Sequence, residues 1–336
     1  MQTGIAQSTL LPHPMKYALI LAAACAASSS LAAPSSQVAI FGTVDLGLVQ
    51  RNDGQTLLHG APANTALHVM PGARSRIGFR GMEDLGQGLR AHFVLEHSFT
   101  PDNGHPMSPA MFWHAQSWVG LSGGFGEVRL GRDYAPAHQM TSRADPFAFD
   151  TVAQVGIAQA WLGYTSSGGA SRMNNALHYR TPNYQGLSAQ LAVSFSEQEG
   201  VSNERGASIS YEQGPWYAGL GWDRKDARQG HNDLWILTGN YRWDRWVFRA
   251  SHTRVRVQDQ ATRNWTLGAS YRDGAGEVLA VVTQQKLSSE MRTQKWGVGY
   301  HHWLSKCTKI YTDVARAKGR GLSATTGMDV GLHHRF

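Results

Sequence analysis

From residue 37 to the end of the chain, apolar residues return at every second position, and this two-residue period constrains the fold more than any other feature. Successive side chains of a strand point to opposite faces, so each such run is a ribbon with one apolar side and one polar side. Val38, Ile40, Val44, Leu46 and Leu48 share one face of the first run, while Ala39, Thr43 and Asp45 share the other. Leu89, Ala91, Phe93 and Leu95 alternate with Arg90, His92, Val94 and Glu96, and Leu187 to Phe195 alternates in the same way. Later faces carry Trp216-Ala218-Leu220-Trp222, Trp235-Leu237-Tyr241, Trp265-Leu267-Ala269-Tyr271 and Trp296-Val298-Tyr300. Polar turns such as Glu212-Gln213-Gly214-Pro215 and Arg272-Asp273-Gly274 separate consecutive runs, which makes a meander of hairpins. Runs starting near residues 37, 74, 89, 115, 127, 174, 187, 205, 216, 233, 246, 264, 277, 293, 308 and 327 give about 16 strands.

A ribbon of this kind must bury its apolar side. A propeller would show a shared repeat of about 40 to 50 residues, and none is present. A sandwich would spread its aromatic residues through the core, whereas here they bracket short apolar stretches and the opposite faces are rich in Arg, His, Ser, Thr and Gln. No stretch after residue 33 approaches the ~18 to 20 apolar residues of a membrane helix, the longest being Val278 to Val282. Strands cross a lipid bilayer only by closing on themselves, so that every backbone N–H and C=O is paired. Since only alternate residues then meet lipid, a mean hydropathy of −0.34 and 16% charged residues suit a membrane barrel with a wet lumen. The fold class expected is all-β, a 16-stranded antiparallel transmembrane barrel.

Met15-Lys16, an apolar stretch from Tyr17 and the run Leu31-Ala32-Ala33-Pro34 read as a secretory signal over residues 1–33. Met1 to Pro14 has no Lys or Arg, so the start of translation is expected at Met15. Residues 34–336 are then the barrel, and a secreted closed barrel belongs in an outer membrane. Loss of Lys16 lowers the net charge from +7 to +6, a mild bias toward anionic solutes. With Cys25 removed, Cys307 is the single thiol, expected buried or facing lipid.

Signals for chemistry are weak. Gly120-Leu-Ser-Gly-Gly124 fits the G-x-S-x-G elbow, but a strand pattern follows where a helix is required. His301-His302 and His333-His334 are adjacent pairs that point to opposite faces of a strand, so no metal site is expected. No P-loop or dinucleotide motif and no basic run occurs, which leaves neither a cofactor nor a nucleic-acid partner.

Five strings in order resemble the Gram-negative general diffusion porins, in particular the trimeric porins of beta-proteobacteria. They are Gln37-Val-Ala-Ile-Phe-Gly-Thr-Val-Asp45, Ser75-Arg-Ile-Gly-Phe-Arg-Gly-Met-Glu-Asp-Leu-Gly-Gln-Gly-Leu89, Trp118 to Arg132, Asn174 to Tyr184 and Gly331-Leu-His-His-Arg-Phe336. The resemblance implies a homotrimer in outer-membrane lipid, passive diffusion of ions and small hydrophilic solutes, and a long third loop folded into the lumen. The longest non-alternating stretch, residues 132–171, falls where that loop is due, and loops of this length are normally functional. Phe336 resembles the signal read by the outer-membrane assembly machinery.

By motif match the resemblance implies a basic wall at Arg76 and Arg80 on the second strand and Arg172 on the sixth. Parity adds Arg74 to the first pair and Arg180 to Arg172, each opposite an apolar face. A lipid-facing Arg near the midplane would cost about 2 to 4 kcal/mol, which favours the lumen for all of them. The opposing acids are expected at Asp145 and Asp150 on the loop, with Glu96 on the third strand. Trp113-His114-Ala115-Gln116 stands where the family usually carries an Arg, leaving the basic set one member short and implying weak anion selectivity. An outer-membrane barrel hydrolase or a surface adhesin is the alternative reading, and the path of the long loop discriminates between them.

Overall fold

The computed structural model describes residues 36–50, 66–155, 171–196, 203–226, 231–257, 260–287, 292–319 and 324–336. The signal expected over residues 1–33 lies outside them. The strands are β1 (Gln37–Gln50), β2 in two segments (Leu67–Met70 and Ser75–Gly86), β3 (Leu89–Thr100), β4 (Gln116–Gly123), β5 (Gly126–Tyr134), β6 (Arg172–Arg180), β7 (Leu187–Ser194) and β8 (Glu204–Gln213). They continue with β9 (Trp216–Asp226), β10 (His231–Trp243), β11 (Trp246–Val257), β12 (Gln260–Asp273), β13 (Gly276–Leu287), β14 (Arg292–Trp303), β15 (Thr308–Gly319) and β16 (Thr325–Arg335). Each pairs antiparallel with its neighbours in sequence. The ring closes where Thr43 to Gln50 of β1 meets Arg335 to Met328 of β16. The result is a closed 16-stranded barrel, which leaves no unpaired edge.

The alternation is realised as an outer and an inner face. Val38, Ile40, Leu130, Leu191, Leu237 and Leu267 are all more than half exposed, together an apolar surface far larger than a soluble monomer carries. Along β10 the outward Trp235 and Trp243 are eight residues apart, roughly 26 Å at about 3.3 Å per residue. Trp216, Tyr241, Trp246 and Tyr271 form one girdle at the end with the short turns. Trp222, Trp235, Trp265 and Trp296 form the other. Such belts sit at the two lipid–water boundaries, where an aromatic ring has one apolar and one wet side.

The turns at one end are tight: Gln87-Gly88, Gly214-Pro215, Asp244-Arg245 and Gly274-Ala275. Asp244, at φ 51, takes the left-handed conformation that such a hairpin requires. At the opposite end successive strands are farther apart in sequence, as between Thr100 and Gln116.

Three local departures from simple alternation matter. Pro71 to Arg74 interrupts β2, because Pro71 cannot donate to the ladder. A register shift between Gly131 and Asp133, opposite Asn175 at φ 47, breaks the parity of β6, so Arg172 and Arg180 do not share a simple face. Cys307 lies exposed in the turn between β14 and β15, where its N–H donates to Ser305 Oγ at 3.1 Å. The expectation of a buried or lipid-facing thiol is thereby corrected, the turn having placed the residue off the wall. Ser122 of the G-x-S-x-G string lies in the last two residues of β4, and a second strand follows it.

Candidate channel constriction

Helix α1 (Pro136–Ala144) follows β5 and packs on the face of the wall opposite the exposed apolar one. The alternation itself explains why it can. β10 carries Leu234 and Ile236, β11 Val255, and β13 Leu279 and Val281 at inner positions, where much of the wall is polar. Ala137 and Met140 cover Leu234, Ile236 and Val255. Phe147, Val152, Ala153 and Val155 cover Leu279, Val281 and Ala315. Each large side chain withdrawn from a wet lumen contributes about 1.5 to 3 kcal/mol. A Cβ on Gly297 would stand 2.8 Å from Ala153, and one on Gly268 2.5 Å from Pro146, so at these two places the segment needs a wall without a side chain.

Polar anchors fix its course. Both Asp223 carboxylate oxygens accept the Ala137 N–H at 3.3 Å, placing a carboxylate at the first turn of α1, where orphan N–H groups and the helix dipole favour one. Asp329 Oδ2 accepts the Val152 N–H at 2.8 Å, and Lys295 Nζ donates to the Gln154 carbonyl at 2.7 Å. Thr151 N–H donates to the Gly72 carbonyl in the break of β2, at 2.7 Å. From Pro136 to Gln154 the chain thus runs along the inner wall from β9 to β2.

The expected site residues divide. Arg76 stands in β2 between Thr43 and Ser98, its Nε 3.7 Å from Glu96 Oε2. Arg80, four residues along on the same face, is exposed over the Phe41 ring at 5.4 Å. Arg74, in the break of β2, has Arg172, Tyr134, Glu96 and Arg76 as its electrostatic neighbours. Asp150 is half-buried, facing Lys309 and Arg76. Burial pushes its carboxyl up to about 7; Lys309 and Arg76 oppose the rise while Asp45 and Asp145 add to it.

Others are committed elsewhere. Arg172 is 6% exposed and donates to the Ala115 carbonyl at 2.5 Å and Tyr134 Oη at 2.7 Å, tying the base of the long connection to β4. Asp145 is buried at the end of α1, accepting N–H groups of Phe147, Phe149 and Val155 at 2.9 to 3.3 Å. It folds the segment back on itself rather than facing the open channel, a correction that follows from the short reach of Asp to nearby backbone N–H groups. Arg180 sits near the short-turn end, 4.0 Å from Glu127 and 3.4 Å from Gln139 of α1.

His114 lies buried beside Arg172, Arg74, Arg132 and His97. Burial, followed by Arg172, Arg74, Arg132 and His97, lowers it to about 4, so it is neutral at pH 7.

The sequence reading missed two clusters. Arg129 pairs with Asp133 at 2.7 Å and Glu127 at 2.9 Å on β5. Across the ring Asp45 accepts from Tyr311 Oη at 2.8 Å and faces His333 at 3.1 Å, while His301 bridges Asp313 and Lys309. Parity held the signal for the second: Lys309, Tyr311 and Asp313 alternate with Ile310, Thr312 and Val314.

A closed barrel with a helix-bearing segment along its inner wall matches known proteins in sequence and fold. A family model described as Gram-negative porin matches residues 18–322. Outer membrane porin protein 32 of Delftia acidovorans is 31% identical over 360 residues, which cover 96% of this chain and 100% of the relative. Major outer membrane protein P.IB of Neisseria lactamica is 24% identical over 90% of this chain and 96% of its own length. Among solved structures the anion-selective porin from Comamonas acidovorans superposes with a TM-score of 0.78 at 27% identity, covering 90% of this chain and 100% of that one. The chain belongs to the Gram-negative porins and forms a diffusion channel in the outer membrane.

Proposed function

We propose that this porin passes small hydrophilic solutes and ions without chemistry, with a modest preference for anions, and that the segment within residues 132–171 sets the width of its passage. The observation that carries the reading is the arginine row at Arg74, Arg76 and Arg80, which among the described residues has a single carboxylate, Glu96, in ion-pair reach. In a narrow gap with low-dielectric walls such a row holds a standing positive potential. The neutral His114 keeps that preference modest. The anion selectivity named for the Comamonas acidovorans porin supports the same sign. The natural unit is read as a homotrimer, residues 1–33 as a cleaved signal, and Phe336 as a mark for the assembly machinery. Phe336 supports that last role by pairing its backbone with Gly42 of β1 at 3.0 and 3.1 Å, beside the ring closure.

Swelling of proteoliposomes tests the reading. Anionic solutes are expected to enter faster than cationic ones of equal size, and neutral sugars at an intermediate rate. Equal rates for all three would remove the charge preference, and no swelling would remove the channel.

Asp150 adds a pH dependence whose sign is fixed. Its carboxyl is charged above about 7 and neutral below, so acidification from pH 8 to pH 6 removes a negative charge from the gap. Anion preference is expected to rise across that interval, and Asp150→Asn to abolish the step. Folding obeys the same proton balance: the folded chain holds this proton at pH values where an unfolded carboxyl has lost it, so the group favours folding less as pH rises through 7. Selectivity measured at half-unit steps checks this, a flat profile in the native chain being the contrary result.

A further inference from the structure

Between β1 and β2 the ladder is interrupted. Gly47 is paired with Met70 on one side of the gap and Thr43 with Arg76 on the other, which leaves Asp45 opposite the break at Pro71 to Arg74. Backbone groups inside a wall need partners, and a side chain at the start of the second segment supplies them. Ser75 Oγ accepts the Asp45 N–H at 3.0 Å and donates to the Asp45 carbonyl at 3.3 Å. One hydroxyl thus stands in for the missing rung.

The Asp45 side chain holds the other end of the break. Its Oδ1 accepts the Gly72 N–H at 2.7 Å and Tyr311 Oη at 2.8 Å, and its Oδ2 faces His333 Nδ1 at 3.1 Å. A carboxylate with no exposed surface needs such donors, because burying it without them is costly. Tyr311 reaches it because the wall is bare there. A Cβ on Gly72 or Gly331 would run into the phenol oxygen, and one on Gly47 would stand 3.1 Å from it. The break is therefore pinned at Gly72 and at Ser75 to one residue of β1.

Two parts of the passage depend on those pins. Arg74 lies between them, among Arg172, Tyr134, Glu96 and Arg76. Gly72 also lends its carbonyl to the Thr151 N–H at 2.7 Å, which ties the inner segment to β2. Asp45 itself is 0% exposed, so a permeating ion does not touch it. Its influence on the current runs through the residues it holds.

We propose that Asp45 is a positioning residue of the constriction, placing Arg74 between Gly72 and Ser75 and the inner segment through Gly72 and Thr151. The proposal rests on the reading that Arg74 and the segment bound the passage. Because the effect of a charge on an ion depends on their separation, a residue outside the water-filled space then sets selectivity by holding an arginine at its edge.

Zero-current potentials of paired variants, each compared as folded and inserted protein, test the proposal. Asp45→Asn and Asp45→Ala remove the same negative charge, but the amide oxygen of Asn still accepts the Gly72 N–H, whereas Ala leaves the break untied. Asp45→Ala is expected to lower the ratio of anion to cation permeability at least about threefold below that of Asp45→Asn. Arg74→Gln, which lowers the ratio in the native chain, is expected to change it little on top of Asp45→Ala. Position is read separately, by the rate at which a negatively charged thiol reagent modifies Arg74→Cys in a chain that also carries Cys307→Ser. That rate is expected to change at least about threefold with Asp45→Ala and to return toward its starting value with Asp45→Asn. Where Asp45→Ala does not insert, Ser75→Ala and Tyr311→Phe take its place. Each removes one tie and keeps the carboxylate, and each is expected to move both the potential and the labelling rate. Asp45→Asn and Asp45→Ala alike in both measurements, or an undiminished effect of Arg74→Gln in the Asp45→Ala chain, would overturn the proposal. Labelling reads position and the potential reads charge, so failure of the arginine-row reading, an unmoved potential in Arg74→Gln alone, is told apart from failure of the proposal, an unmoved labelling rate.

Discussion

Replacing Arg74 and Arg76 together by Glu is expected to reverse the sign of the zero-current potential under a salt gradient, turning an anion-preferring channel into a cation-preferring one. The effect is large because each substitution replaces a positive by a negative charge at the place where Glu96 already stands 3.7 Å from Arg76. A unit charge about 7 Å from a permeating ion is worth about 0.6 kcal/mol at the dielectric of water and about 2.4 kcal/mol at an effective value of 20. Swapping one charge doubles the lower figure to about 1.2 kcal/mol for each ion, about eightfold, and because anion and cation shift in opposite senses the ratio of their permeabilities moves by about 2.4 kcal/mol, about 60-fold, with two swaps acting in the same direction. The recording belongs near 0.1 M salt, where the screening length is about 10 Å. Exchanging Arg172 and Arg180 instead should move the potential less, because Arg172 is engaged with Ala115 and Tyr134, and Arg180 with Glu127 near the short-turn end. Arg172→Ala is expected to act mainly on stability, by freeing the base of the long connection. A double variant that keeps the native sign would remove the arginine row from the selectivity account.

Excising residues 137–153 and bridging the gap with a short Gly-Ser linker is expected to raise single-channel conductance about twofold and to lower thermal stability in the same protein. Sixteen strands about 4.8 Å apart and tilted about 40° close to a backbone diameter of roughly 32 Å, of which side chains leave about 20 Å. A helix about 10 Å across takes up half of that width. The loss of stability follows from the wall, since Leu234, Ile236, Val255, Leu279 and Val281 would then face water. Gly297→Val should act with the opposite sign on conductance, because its side chain would occupy the space 2.8 Å from Ala153 and press the segment into the passage. Conductance unchanged by the excision would mean that the segment does not bound the passage.

The strands were legible because lipid on one side and water on the other force a period of two, and the observed starts lie within a few residues of the runs. The course of the long connection was not legible, because it is held by pairings distant in sequence: Ala137 with Asp223, Val152 with Asp329, Thr151 with Gly72. A trace of it lay in the two places where alternation fails. Leu234 to Leu237 and Val278 to Val282 are apolar on both faces, and the inner members are those the loop covers. Arg76 and Glu96 could be brought together from parity alone. Arg172 could not, because the register shift at Gly131 is set by backbone geometry that no side-chain period records. Asp145 misled for a similar reason, since a carboxylate that caps nearby backbone N–H groups looks, in sequence, like one that faces solvent.

The most direct test is the zero-current potential of the native protein in a planar bilayer across a tenfold potassium chloride gradient, recorded at single-channel level. The account predicts stepwise ohmic openings with a potential displaced toward the chloride equilibrium value. Folded, inserted protein that passes no current, or a potential displaced toward potassium, would contradict it.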